Sequence, residues 1–310
     1  MSSSSINYAR EEGIAHSELP AAIVFAGLYV LLLSVFAVLI FKRPAFAWRF
    51  LTVFSVVRAT AFTLRSVLAG SATAGTNLNL FVAESVIYGV GFFGLLYSAY
   101  TLVLDRDDMV NSGKEKRQLP GPLALFSKVA RTRILVRALL MGAVVLGIVA
   151  GVKQGDSDSS SQATGNSLRK VSIVIFLVVS CMLLFVTLLL AADEHRSGAL
   201  YEVAPTLGRR YGVFMLFAIA ALCIVREAFL VATLGNTQKQ NQASLFYPLA
   251  ATPELIAALL FLVPGLVPSK LEMDARRDQA RGAQNGRGAY SMSTMAPQAY
   301  GTDSRFAPPV

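Results

Sequence analysis

The chain alternates long apolar runs with short polar ones, and the alternation repeats seven times. Apolar stretches occupy about 19–41, 47–68, 78–104, 134–151, 171–192, 212–233 and 245–267. A membrane-crossing helix needs roughly 20 predominantly apolar residues to cover about 30 Å of hydrocarbon. Each run is near that length. The pattern therefore predicts an all-α, polytopic seven-transmembrane helix bundle over 19–268. A polar segment, 1–18, precedes it, and a Gly-, Arg-, Ser- and Gln-rich tail, 269–310, reads as disordered. The segment 1–18 lacks the basic start of a cleavable signal, so the first run is expected to remain as an anchor.

Between the runs the linkers differ. Residues 69–77 are small and uncharged. Residues 105–133 form the longest link, broken by Leu119-Pro120-Gly121-Pro122. Residues 152–170 are rich in Ser, Gly and Asp and are expected to be flexible. The seventh run contains Pro248, Pro253 and Pro264. Proline removes a helix hydrogen bond, so kinks are expected there.

Composition agrees with the pattern: 54% of residues are hydrophobic, 15% are charged and mean hydropathy is +0.55. A soluble domain would be about a quarter charged. The net charge of +9 is distributed among short links and the tail, which fits membrane topology and not nucleic-acid binding. Of 28 Lys and Arg residues, 18 lie in segments on the side of the tail, five on the side of residue 1 and five within runs. The positive-inside rule then puts the amino terminus outside and the tail in the cytoplasm. Neither the plasma membrane nor an endomembrane is singled out. Cys181 and Cys223 both lie in apolar runs, where free buried thiols are expected.

What changes the picture is charge inside the runs. The stretch Ala221–Ala232, ALCIVREAFLVA, holds Arg226 and Glu227 side by side. Insertion scales put an ionised residue at such depth at ~2.5–3.5 kcal/mol, so intramembrane charges face the interior and pair. Arg58 and Arg65 are seven apart, on one helical face. Counting ~1.5 Å per residue, Arg58 lies near the midplane, Arg226, Glu227 and Glu254 a few ångströms outward, and Arg65 and Glu84 roughly 10 Å outward. Three arginines and three glutamates thus balance on spans two, three, six and seven. Arg65–Glu84 is expected as an outer pair above an inner group of Arg58, Arg226, Glu227 and Glu254. Side chains of neighbouring helical residues diverge by about 100°, so Arg226 and Glu227 are expected to face different neighbours, with Arg58 and Glu254 as candidates.

Three readings of the cluster stand: ion pairs that lock helices together, a pocket for the headgroup of an amphiphilic ligand, or a proton or ion pathway. The leading expectation is a non-enzymatic sensor-like or lipid-handling protein. A lipid or small-molecule transporter and a membrane scaffold are the alternatives. No metal or cofactor is expected, because only His16 and His195 occur and both lie outside the runs. Lys128, Arg131 and Arg133 precede the fourth run and Arg137 lies close to its start; all four are candidates for contact with membrane lipids, each basic residue near an anionic leaflet contributing ~1 kcal/mol. Asp105-Arg106-Asp107 reads as a charged helix end meeting water. The 105–133 link and the tail are the candidate sites for a cytoplasmic partner.

WRFLTVFSVVRATAFTLRS (Trp48–Ser66), CIVREAFLVA (Cys223–Ala232) and ATPELIAALLFLVPGL (Ala251–Leu266) resemble an uncharacterised family of fungal seven-helix integral membrane proteins. That resemblance implies an Arg in helix two, an Arg in helix six and a Pro-Glu in helix seven, here Arg58, Arg226 and Pro253-Glu254. It implies no activity. A looser resemblance is to fungal lipid-translocating exporters of the resistance-to-aminocholesterol type, also with seven helices and an outer amino terminus.

Overall fold

The computed structural model describes residues 7–42, 44–110, 121–156, 158–197 and 206–268. Among these residues all regular structure is helical, and seven helices are long and apolar enough to cross a membrane. They are α1 (Leu19–Lys42), α2 (Phe46–Gly70), α3 (Leu78–Val110), α4 (Arg133–Gln154), α5 (Ser159–Ser197), α6 (Gly212–Ala232) and α7 (Ala243–Leu260). The chain is an integral membrane protein of helical architecture. The tail and residues 111–120 of the longest link fall outside the described residues.

Successive helices pack side by side, and α3 also touches α5, α6 and α7, so it stands at the centre of the bundle. Most of α1 faces outward. Only Ala22, Tyr29, Leu32 and Phe36 are buried on it, and 22, 29 and 36 repeat at the seven-residue spacing of one face. Tyr29 stacks on Phe62 of α2 with ring centroids 5.6 Å apart, and Phe36 meets Trp48 at 5.8 Å. Exposed positions on the spans are mostly apolar, as at Leu31, Phe214 and Val178, and the hydroxyls of Ser34, Thr60 and Thr63 bond back to carbonyls of their own helices, because no water is present there to reward polarity.

Two close approaches bring α2 against α3. A Cβ at Gly94 would lie 2.9 Å from the Cβ of Phe54, and one at Gly91 would lie 3.3 Å from Nη1 of Arg58. Small residues at such crossings let backbones approach. Here they let the Arg58 side chain reach across to α3.

Several expected boundaries shift. Residues 152–170 are not a flexible link, since α5 begins at Ser159 and runs for 39 residues, about 58 Å. Asp158 starts this helix by accepting from the amide (3.3 Å) and hydroxyl (2.6 Å) of Ser160. Thr164 and Ser167 bond back to Ser160 and Ala163 carbonyls, which hides their polarity. Gly165 lies so near α4 that a Cβ there would sit 2.8 Å from the carbonyl oxygen of Ala150. Packing on α4 thus overrides the weak helix propensity of this stretch. Helix α3 likewise continues to Val110, past the expected 104.

Helix α7 is irregular. Tyr247–Ala251 forms a π-helical turn before Thr252–Leu260 resumes α-helix. Pro253 has no N–H for the carbonyl four residues back, and a widened turn accommodates the loss. Pro264 does not kink the helix. It lies beyond Leu260, in a turn where its carbonyl accepts from Gly208 (3.0 Å) and Gly265 takes φ of 87°.

Candidate functional site

The six charged residues expected to meet do lie together, on α2, α3, α6 and α7. Each is at most 3% exposed. In the inner group, Glu254 Oε1 accepts from Arg58 Nη2 at 2.6 Å and forms an ion pair with Arg226, whose Nε lies 2.7 Å away. Arg226 Nη1 also pairs with Glu227, and Arg58 Nη1 donates to the Tyr88 carbonyl. Arg226 and Glu227 therefore do not diverge to separate partners. The arginine side chain is long enough to fold back onto its neighbour while its Nε meets Glu254. The bridge between α2 and α6 is thus Glu254 of α7. Tyr88 lies between the two guanidinium groups, whose Cζ atoms sit 4.2 Å (Arg58) and 5.6 Å (Arg226) from its ring centroid. Phe92 lies 4.2 Å from Arg226 Cζ. Such faces attract cations, by ~2 kcal/mol or more when desolvated.

The outer group contains a residue the sequence pattern assigned to the polar segment before the bundle. Glu18, 1% exposed, ends a short 3-10 helix, His16–Glu18. Its Oε2 accepts from Arg65 Nε (3.1 Å) and Nη2 (2.9 Å). Glu84 meets Arg65 Nη1 at the longer distance of 3.4 Å. Arg65 also donates to the Asn241 carbonyl at 2.9 Å and lies 3.9 Å over the Phe246 ring. The amino-terminal segment is pinned further by Asn241 Nδ2 donating to the Glu12 carbonyl (3.0 Å) and by Ile14, buried against Leu68 and Ala69. Arg169, also outside the expected set, donates to Gln240 Oε1 at 3.0 Å. Its position within a stretch that reads as a polar linker hid it. Adding Glu18 and Arg169 keeps the balance at four arginines and four glutamates.

Beside the cluster, between α3, α4, α5 and α6, is a cavity of about 70 Å³. Arg65, Glu84, Arg169 and Arg226 line it on the charged side, and Val90, Ile173, Phe176 and Leu230 line the apolar side. Within the cluster, Arg226 Nη2, Glu227 Oε2, Glu254 Oε2 and the hydroxyls of Tyr29, Tyr88 and Tyr247 are buried without a hydrogen-bond partner. Unsatisfied buried polar groups cost ~1–3 kcal/mol each, and of these residues Arg226 and Tyr88 line the cavity. Among the described residues no three His, Cys, Asp or Glu side chains are grouped to hold a metal.

A second ionic network closes the opposite end of the bundle. Arg106 Nε meets Glu194 at 2.5 Å, and its Nη atoms donate to the Gly208 and Arg209 carbonyls. Arg131 meets Asp107 (3.1 Å) and Asp193 (3.7 Å), while Arg133 meets Asp105 (2.7 Å) and Asp108 (3.0 Å). The Asp105–Asp108 helix end therefore ties α3 to α4 and α5 instead of simply meeting water. Of the four basic residues expected at the membrane surface, Arg131 and Arg133 hold acidic partners. Lys128 and Arg137 are exposed.

The model of a family described only as a domain of unknown function, DUF7702, matches residues 17–200. That match spans α1 to α5 and more than half of the sequence. The chain belongs to the DUF7702 family. The DUF7702 match carries Glu18, Arg58, Arg65, Glu84 and Arg169 and ends before α6, so Arg226, Glu227 and Glu254 lie outside it. No curated protein and no solved structure matches the chain.

Proposed function

We propose that the protein is a non-enzymatic, sensor-like or lipid-handling membrane protein that binds an anionic amphiphile at its amino-terminal face. The headgroup would sit in the cavity between Arg169 and Arg226, and the first carbons of the tail would lie along Val90, Ile173, Phe176 and Leu230. The basic residues in the links orient this face outward. The observation that carries the reading is Arg226, which is 1% exposed, lines the cavity and has an Nη2 with no partner. A lock made solely of ion pairs would gain by satisfying it. About 70 Å³ corresponds to roughly two water molecules, so the cavity suits a carboxylate- or phosphate-sized group, with only the first carbons of its chain against the apolar wall and the remainder leaving the cavity.

Arg169 supplies the test, because it belongs to the cavity wall but to no ion pair of the inner group. Thermal unfolding of the purified protein is measured with decyl phosphate, decyl trimethylammonium and decanol. Decyl phosphate should stabilise most, and Arg169→Gln should weaken its binding about tenfold, each shift being read against the variant's own unliganded transition. If the three probes act alike, or none stabilises, the binding reading falls and the structural lock remains. A transporter is the second reading, favoured by the π turn adjoining Glu254, since a widened turn is a place where a helix can rearrange. Flux of a labelled amphiphile in proteoliposomes, abolished by Glu254→Gln, would decide for it.

A further inference from the structure

A larger crevice lies at the opposite end of the bundle, between the start of α2, the end of α3 and the start of α4. Its volume is about 280 Å³. Phe46, Tyr97, Tyr100, Leu104 and Val136 form its walls, and the Asp105–Arg133 ion pair lies at one end. The Tyr100 hydroxyl donates to the Ala130 carbonyl at 2.5 Å, so it is already satisfied. Phe46 and Tyr97 meet edge-on with centroids 5.9 Å apart, and Phe46 is 45% exposed.

Asp105, Asp108, Arg133 and Arg137 sum to zero beside this crevice, yet one of them stands apart from the ion pairs. Arg133 shares its guanidinium with Asp105 and Asp108, yet its side chain is still 41% exposed. Arg137 follows four residues later on the same face of α4. It is exposed, sits one turn inside a membrane-spanning helix and has no ion-pair partner among the described residues. An arginine at that depth extends its head towards the interface, where phosphate groups are the available anions. Aromatic rings at the same level are typical of the membrane boundary.

We infer that the crevice is a binding site for an anionic phospholipid of the leaflet at this face. One acyl chain fills the aromatic-walled space, and the phosphate is held by Arg137 and Arg133. A net negative headgroup is favoured over a zwitterionic one because Asp105 and Asp108 are both engaged by Arg133, whereas Arg137 has no carboxylate against it among the described residues and is the group left to meet an anion. This site is separate from the cavity at the amino-terminal face, and its occupancy does not depend on what that cavity binds.

The test uses a tryptophan placed in the crevice, Tyr97→Trp, with the sole native tryptophan removed by Trp48→Phe. The protein is reconstituted in phosphatidylcholine vesicles containing dibrominated phosphatidylglycerol or dibrominated phosphatidylcholine, and bromine quenching is followed against mole fraction. Quenching should favour phosphatidylglycerol, and Arg137→Gln should reduce the preference about fivefold, the worth of one guanidinium near an anionic surface. Arg137→Lys should retain most of it. Equal quenching by the two lipids, or a preference unchanged in Arg137→Gln, overturns the proposal. If a substituted protein does not fold, native mass spectrometry of the unsubstituted chain decides. Retention of phosphatidylglycerol over phosphatidylcholine through delipidation supports the site, and indiscriminate loss of both overturns it.

Discussion

Replacing Glu254 with glutamine removes a charge and almost no volume, so its effect reports on electrostatics alone. In the folded protein one carboxylate oxygen of Glu254 serves two arginines, at 2.6 and 2.7 Å, with both partners and itself at most 1% exposed. The inner group is neutral with Glu254 present and carries one uncompensated positive charge without it. Removing one member of a buried ion pair typically costs ~3–5 kcal/mol, because the remaining charge stays desolvated. Two arginines depend on Glu254, so the upper half of that range is expected. Glu227→Gln should cost less, since Arg226 would keep Glu254. Adding Arg58→Met to Glu254→Gln restores neutrality through Arg226 and Glu227, and should recover about 2 kcal/mol as a coupling energy. The assay is reversible unfolding in mixed micelles, followed by the fluorescence of Trp48, which is 5% exposed in the packed core beside Phe36. A Glu254→Gln protein within about 1 kcal/mol of the parent, or a double variant no more stable than the single, would refute the account of an interdependent charge group.

Glu18→Gln should lower stability by only ~1–3 kcal/mol, because Arg65 keeps Glu84 and the Asn241 carbonyl; a larger loss in the same unfolding assay would mean that Glu84 is not an effective partner. Asn166→Pro should cost about 3 kcal/mol and remove the amide-exchange protection of residues 159–168, whereas a truly flexible segment would tolerate it. Gly151→Leu should destabilise by roughly 1–3 kcal/mol through overpacking, since a Cβ there already collides with Val86 of α3; unfolding of that variant unchanged from the parent would show that α3 and α4 can separate freely. The carboxyl of Asp158 is held below the ordinary carboxylate range by the hydroxyl and amide of Ser160. Its capping contribution is therefore present above the usual carboxylate pKa and lost as pH falls through the depressed value, which amide exchange at the start of α5, compared at pH 5 and near pH 2, would detect.

The hydrophobic pattern alone was enough to set the class, the number of spans and the meeting of charges. Apolar runs of membrane length are local in sequence, and burial of charge forces pairing whatever the partners. Arg58 and Arg65 shared a face by spacing alone. Which partner each charge takes was not local. It depends on how far each helix is rotated and how closely it approaches its neighbour, and glycines such as Gly91 and Gly94 set that distance for α2 and α3. Glu18 joined the cluster only because the amino-terminal segment folds back over Leu68 and Ala69. The Ser- and Gly-rich residues before Val171 became helix only because α4 lies against them. Both cavities are lined by residues of three or more helices, so no single helix encodes them. The sequence by itself determined that the charges must be received inside the bundle. The tertiary structure decided by which groups, because the rotation of one helix against another is settled by packing among residues far apart along the chain.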